Sequence, residues 1–155
     1  MLTLRRKIPR EDVSVLSSSD RPVLLATLDV PFSEEATAFA VDSAVESGKP
    51  LVVVNAAEVL PTAYALLGYG YVEREELQEA LCKPAELAHS LAVRVERLRV
   101  CSPHPVDALL EVAAERNPAI IVFGPDRAHL PSRRYRRAER AVRERATCLV
   151  WTPDV

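Results

Sequence analysis

The sequence has little cysteine and no cysteine or histidine motif. Its three cysteines are far apart and show no Cys-x-x-Cys spacing, so the pattern supports neither a disulfide framework nor a zinc site. A reducing cytosol is the simplest interpretation of free, scattered thiols. The histidines have no ligand spacing with one another or with the cysteines, which predicts that no metal is bound. The cysteines are Cys82, Cys101 and Cys148, and the histidines are His89, His104 and His129.

Long apolar runs and targeting signals are also missing. No run approaches the roughly 20 apolar residues that a membrane span needs. The basic residues Arg5, Arg6 and Lys7 are followed by neither an apolar core nor a small-residue cleavage site. We therefore expect a cytoplasmic protein that does not enter the membrane.

The chain has no excess of one charge, but its charge is unevenly spread. A formal net charge of -2 argues against general affinity for nucleic acid or for an anionic membrane. Residues 125–145 nevertheless contain eight arginines against three acidic residues. In the last predicted helix Tyr135, Ala138 and Val142 are expected to face inward. Most of these arginines are therefore expected on a solvated helix face, which is suited to an acidic partner surface or to self-association.

The length and composition predict one ordinary globular domain. The chain has 155 residues, of which 48% are hydrophobic and 27% charged. Residues 1–20 alternate charged and small polar side chains and cannot bury a useful face, so we interpret them as an arm or an edge segment. The single domain is predicted to span residues 21–155.

The order of apolar runs and helical patterns predicts an α/β fold. Five strands alternate with four helices, which calls for a three-layer, open, mostly parallel five-stranded sheet with helices on both faces, in a Rossmann-like arrangement. Residues 56–70 form a long connection, and the second helix is expected to break or bend near Pro84. The predicted strands cover residues 22–28, 50–55, 93–100, 119–123 and 148–151, and the helices cover residues 33–47, 73–91, 105–117 and 131–145.

This pattern resembles the universal stress protein family over residues 21–153. The order of the elements carries most of the likeness, and the resemblance implies the fold and a stress-related role. The matching pieces are residues 23–29, 33–40, 51–55, 104–110, 120–124 and 138–140 leading into 148–151.

Nucleotide-binding members of that family carry a Gly-x2-Gly-x9-Gly-Ser/Thr loop after the fourth strand. Here Gly124 matches the first glycine, Arg127 replaces the second, and the third falls at residues 135–137, which contain no glycine and no neighbouring small hydroxyl. A Cβ at these positions occupies the space that the phosphates need. The departures predict that the chain does not bind ATP.

The candidate nucleotide crevice lies at the carboxyl ends of the strands, where open α/β sheets bind ligands. Its residues are Asp29, Asn55, Gly124 and Arg127. In the family the counterpart of Asp29 contacts adenine or ribose; the alternative is a turn residue that accepts local backbone donors. Arg127 either replaces the lost glycine contacts by holding a phosphate, or is a solvated charge paired with Asp126 or another acid.

Catalytic constellations are absent from the sequence. It has no Gly-x-Ser-x-Gly elbow, no carboxylate pair framed by a histidine and no Ser-Gly-Gly loop after the first strand. A response-regulator receiver would need an acid after the third strand and a lysine near the last, and the chain has neither. The sequence therefore predicts a protein that is not an enzyme.

The last strand predicts the mode of assembly. An apolar strand at a sheet edge is an aggregation liability unless it is covered, and family members pair through this strand, so we expect a homodimer through Leu149, Val150 and Trp151. The alternative is a monomer in which Trp151 packs against the last helix or under residues 1–20.

Three functional hypotheses follow from the sequence. The first is a dimeric regulatory or interaction module that binds no ATP and has no cofactor. The second is a switch that responds to ATP or AMP through its arginines. A nucleotide hydrolase is the weakest, because no Mg²⁺ ligand or general base accompanies the loop.

Overall fold

The computed structural model describes residues 4–7, 21–59 and 74–153. Six strands and four helices lie in these ranges. In chain order they are β1 (Leu4–Lys7), β2 (Val23–Thr27), α1 (Glu34–Ser47), β3 (Leu51–Glu58), α2 (Glu75–Ser90), β4 (Val95–Ser102), α3 (Pro105–Arg116), β5 (Ile120–Phe123), α4 (Ser132–Arg145) and β6 (Leu149–Trp151).

The strands form one open sheet in the order β1-β4-β3-β2-β5-β6. Strands β2 to β6 pair in parallel with one another, which confirms the predicted fold class. Strand β1 adds a short antiparallel edge to β4, with Leu4 opposite Cys101. The chain winds outward from β2 to β4 in one direction and from β5 to β6 in the other, so the topological switch point lies between β2 and β5.

Two helices cover each face of the sheet. Helices α1 and α2 bury small and aliphatic side chains, among them Ala36, Ala40, Leu77 and Leu81, on one face. Helices α3 and α4 bury a second cluster on the other face. As predicted, α4 turns Tyr135, Ala138 and Val142 inward. Strands β2, β3 and β5 are apolar on both faces because both faces are covered.

Local sequence signals set the helix ends. Ser33 is the N-cap of α1, and its Oγ accepts a hydrogen bond from the Ala36 N–H at 3.1 Å. Gly48 ends the same helix with a left-handed φ of 67°. Pro105 occupies the first turn of α3, and Asn117 closes that helix in a left-handed conformation.

Two local predictions need correction. Helix α2 continues through Pro84 without the predicted break, and the buried residues on both sides of the proline belong to one core cluster. Strand β3 runs to Glu58, since residues 56–58 pair with β4, so the connection after it begins later than predicted. The predicted arm, apart from residues 4–7, and residues 60–70 of the predicted connection lie outside the described residues.

Candidate functional site

At the switch point, the loop after β2 is hydrogen-bonded to the loop after β5. The Ser33 N–H donates to the Gly124 carbonyl at 2.9 Å, and the Asp126 N–H donates to the Pro31 carbonyl at 2.8 Å. Phe32 and Pro125 form an antiparallel bridge between these two bonds. The backbone groups that line this part of the crevice are therefore paired with each other.

Gly124 is needed here for packing. A Cβ added to Gly124 would lie 2.4 Å from the Ala36 Cβ and 3.3 Å from the Leu25 Cδ1. The Ala36 Cβ is fixed to the first turn of α1 and cannot move without the helix. The absence of a side chain at Gly124 lets α1 approach the end of β5, which is the close helix–strand contact that glycine permits in such folds.

The structure brings Asp29 and Asn55 together at the ends of β2 and β3. The Asp29 N–H donates to the Asn55 Oδ1 at 2.7 Å, and the Asn55 Nδ2 lies 3.4 Å from the Asp29 Oδ1. Asp29 has a φ of 57°, a left-handed conformation that is uncommon for residues other than glycine. The Thr27 Oγ1 donates to the Val30 carbonyl at 2.8 Å and completes a tight turn. Asp29 thus has the local backbone environment of a turn residue.

Arg127 lies on an aromatic ring and does not pair with Asp126. Its guanidinium carbon lies 4.4 Å from the centre of the Tyr135 ring, in a cation–π contact. Asp126, the predicted ion-pair partner of Arg127, instead accepts hydrogen bonds from the Ala128 N–H and from the His129 Nδ1, both at 3.0 Å. The prediction of an Arg127–Asp126 pair was wrong because the tyrosine ring offers the guanidinium a partly buried face.

Tyr135 lies within residues 135–137, where the family's third glycine is expected. Its side chain is 1% exposed and packs against Phe123 at 5.7 Å between ring centres. Its hydroxyl has no hydrogen-bond partner among the described residues. Burial raises the pKa of the Tyr135 hydroxyl, as does the Glu139 carboxylate, while Arg127 and Arg143 oppose the shift. Sequence analysis placed Tyr135 in the core but gave no sign of its contact with Arg127.

A cleft between α3 and α4 lies beside the crevice and was not predicted. It encloses about 530 Å³ and is lined by Arg134, Arg137, Arg145 and the first turn of α3. Arg134 pairs with Glu58 at 3.0 Å, and Arg145 pairs with Asp107. Arg137 is exposed and has no ion-pair partner among the described residues. The spacing of these arginines along α4 was the only sequence signal for the cleft.

Strand β6 is the free edge of the sheet on the other side of the switch point. Leu149 is 72% exposed there. Trp151 stacks on Phe39 of α1, with ring centres 4.1 Å apart and planes within 3°. Trp151 therefore packs against the first helix, and the predicted alternative of packing against the last helix was wrong.

Helix α4 is tied to the end of β6 by Arg143. The Arg143 Nη1 donates to the Val150 carbonyl at 3.3 Å, and its Nη2 donates to the Thr152 Oγ1 at 2.6 Å. Arg143 also pairs with Glu139 at 3.3 Å. This arginine holds one carbonyl of the last strand.

The described residues offer neither a metal-binding cluster nor a membrane span. No group of three or more His, Cys, Asp or Glu side chains there is arranged to hold a metal ion. Among the helices of the same ranges, none has the length and apolarity to cross a membrane.

The order of strands, the helices on both faces and the switch point between β2 and β5 define a doubly wound α/β protein. The model of the universal stress protein family matches residues 20–151. The chain therefore belongs to the universal stress protein family, as the sequence pattern predicted. A search of curated protein sequences found no significant match.

Solved structures of universal stress proteins share the fold. One from Burkholderia pseudomallei is 18% identical with a TM-score of 0.60, covering 88% of this chain and 98% of its own. One from Archaeoglobus fulgidus in complex with dAMP is 18% identical, TM-score 0.57, with coverages of 85% and 96%. One from Arabidopsis thaliana with AMP bound is 14% identical, TM-score 0.54, with coverages of 85% and 90%. At these identities the likeness concerns the fold alone.

Proposed function

We propose that this protein is a cytosolic, dimeric interaction module of the universal stress protein family that works without ATP or another cofactor. It acts by binding a partner and catalyses no reaction. The observation that carries this proposal is the pairing of the two loops at the switch point.

The paired loops leave few groups for a nucleotide. Phosphates are held in such folds by unpaired backbone N–H groups that glycines expose. Here the Ser33 and Asp126 N–H groups are already donated to Gly124 and Pro31. A nucleotide that used these donors would have to break both hydrogen bonds. Such an exchange lowers affinity, because each lost bond leaves a carbonyl to be solvated again.

The side chains around the loop support the same proposal. Gly124 packs against Ala36 of α1, and the Arg127 guanidinium lies on the Tyr135 ring. Reaching a phosphate would require Arg127 to leave the ring and expose a buried aromatic face. These contacts favour a rigid loop over a phosphate-binding one.

The homodimer is proposed through β6, with Leu149, Val150 and Trp151 at the interface. An exposed leucine on an edge strand is best covered by a symmetric copy, since an isologous contact pairs both edges at once. When two copies of β6 pair, the hydrogen bond from Arg143 to the Val150 carbonyl either stays at the rim of the dimer interface or is replaced by a hydrogen bond between the two strands.

Native mass spectrometry of freshly purified protein tests both parts. We expect a dimer mass with no retained nucleotide. Calorimetric titration should give no ATP site tighter than the high micromolar range, in which binding is weaker than about 6 kcal/mol. Copurified ATP or AMP, or a low-micromolar site that Asp29→Ala abolishes and Arg127→Ala weakens, would overturn the proposal. Arg127→Gly is the control, and it should not create binding because residues 135–137 still lack the third glycine.

The second candidate is an ATP- or AMP-responsive switch. The cleft beside the crevice favours it, since Arg137 is exposed there without an ion-pair partner among the described residues. Related structures hold AMP and dAMP. Titration with AMP distinguishes the two candidates. A micromolar site that is lost in Arg137→Ala and kept in Arg133→Ala, its exposed neighbour on α4, would establish the switch.

A further inference from the structure

Helices α1 and α2 on one face of the sheet and helix α4 on the other carry opposite charge. Helices α1 and α2 contain eight carboxylates against one lysine, whereas α4 contains seven arginines against two glutamates. The carboxylates are all exposed, and none forms an ion pair with a described residue. They are Glu34, Glu35, Asp42, Glu46, Glu75, Glu76, Glu79 and Glu86.

Four arginines of α4 are exposed in the same way. Arg133, Arg136, Arg137 and Arg140 have no ion-pair partner among the described residues, whereas Arg134, Arg143 and Arg145 do. The four recur at three- and four-residue steps, so they form one continuous stripe along the helix. We call it the arginine stripe.

Each charged surface repels itself in the isolated molecule. Arg133 and Arg137, like Arg136 and Arg140, are like-charge pairs at i and i+4, and Asp42 and Glu46 repeat this on α1. The two surfaces lie on opposite faces of the sheet. Two helix diameters and the sheet separate them by about 30 Å, well beyond the Debye length of about 8 Å at physiological salt. They cannot neutralise each other within one copy.

We propose that the arginine stripe of one copy docks on the acidic α1–α2 surface of a second copy. Charge complementarity selects this occupant, because the chain itself supplies an unpaired surface of the opposite sign. The contact joins two different surfaces and leaves one of each free, so it is heterologous and extends to rings or chains. It uses neither β6 nor the crevice and does not depend on the strand-paired dimer.

Sedimentation velocity of the full chain at two salt concentrations tests the contact. In about 20 mM NaCl, where charges interact over about 20 Å, we expect associated species whose sedimentation coefficient rises with protein concentration. In about 300 mM NaCl, where the range falls to about 6 Å, we expect the association to weaken at least tenfold. A dimer paired through β6 persists at both concentrations, because its apolar and backbone contacts are not screened. A species distribution that is unchanged by salt would overturn the proposal.

Two charge-reversal variants separate a specific contact from a net-charge effect. Arg136→Glu with Arg140→Glu reverses the stripe, and Asp42→Lys with Glu46→Lys reverses part of the acidic surface near the C-terminus of α1, where lysine suits the helix dipole. The first makes the net charge more negative and the second changes its sign. We expect each variant alone to lose the salt-dependent species.

Mixing the two variants completes the test. Each supplies the surface that the other has reversed, so an equimolar mixture at low salt should form a 1:1 complex that neither variant forms alone. Circular dichroism checks that both variants are folded. If either variant still associates like the wild type, or if the mixture stays dissociated, the stripe and the acidic surface do not meet.

Discussion

The switch-point crevice and the β6 edge lie at two borders of the same sheet and differ in how their polar groups are satisfied. At the crevice, loops from β2 and β5 exchange two backbone hydrogen bonds and Gly124 packs on Ala36. At the edge, Leu149 is exposed and the Val150 carbonyl accepts a hydrogen bond from the Arg143 side chain. Gly124 therefore has a packing role that does not depend on a ligand.

The largest effect is expected from Gly124→Ala, which breaks the closed crevice. The new methyl group would meet the Ala36 Cβ at 2.4 Å, so α1 must shift. Overpacking of this kind costs about 2–3 kcal/mol in the free energy of unfolding. Urea denaturation measures the loss.

Two controls identify the cause of that loss. Gly48→Ala meets nothing within 4 Å but forces alanine to a φ of 67°, so it should cost only about 1 kcal/mol. Combining Gly124→Ala with Ala36→Gly should recover part of the stability. A double variant no more stable than Gly124→Ala alone would rule out the Ala36 contact as the reason for the glycine.

The next effect is expected from Asn55→Ala. Its Oδ1 accepts the Asp29 N–H at 2.7 Å, and a half-buried donor left without a partner costs about 1–2 kcal/mol. Thermal unfolding measures it. Asp29→Gly should be more stable than Asp29→Ala by about 1 kcal/mol, because glycine adopts φ of 57° without strain. Equal stability of the two Asp29 variants would show that the turn relaxes.

Leu149→Glu sharpens the comparison at the edge. A carboxylate on the exposed face of β6 should weaken the proposed dimer at least tenfold, which light scattering at tens of micromolar detects as a monomer. Leu87→Glu is the matched control, since Leu87 is also exposed, at 44%, but lies on α2. Trp151→Glu is less specific because it also removes the stack on Phe39. A dimer that survives Leu149→Glu, or a wild type that is monomeric, contradicts strand pairing.

The smallest effect, and one of opposite sign, is expected from Tyr135→Phe. The change removes a buried hydroxyl without a partner among the described residues and keeps the ring under Arg127. The free energy of unfolding should stay the same or rise by up to about 1 kcal/mol. A decrease of more than about 1 kcal/mol in the free energy of unfolding would reveal a hydrogen bond to the hydroxyl.

Tyr135 also predicts a pH dependence. Burial raises its pKa above the ordinary 10.0, so the folded protein keeps a proton that the unfolded chain releases. This contribution to stability is complete below pH 10, falls as the pH rises further and is lost above the folded pKa. The decrease in the free energy of unfolding above pH 10 should be smaller in Tyr135→Phe. Identical plots of stability against pH for the two proteins would contradict a buried tyrosine.

Local signals made the fold predictable. Ser33, Gly48 and Asn117 act within a turn of their own helices, so their roles can be read from neighbouring residues. Contacts between distant parts of the chain leave no such pattern. The Gly124–Ala36 contact and the Trp151–Phe39 stack join residues that only the folded sheet brings together. For the same reason, the sequence identified the residues of the crevice but not the hydrogen bonds between its loops.

Amide hydrogen exchange at Ser33 and Asp126, followed by NMR, tests the closed crevice most directly. Both N–H groups donate to the opposite loop, so we predict slow exchange that stays the same when ATP or AMP is added in millimolar amounts. Exchange as fast as that of exposed loop amides, or a change in either amide on adding nucleotide, would contradict the account.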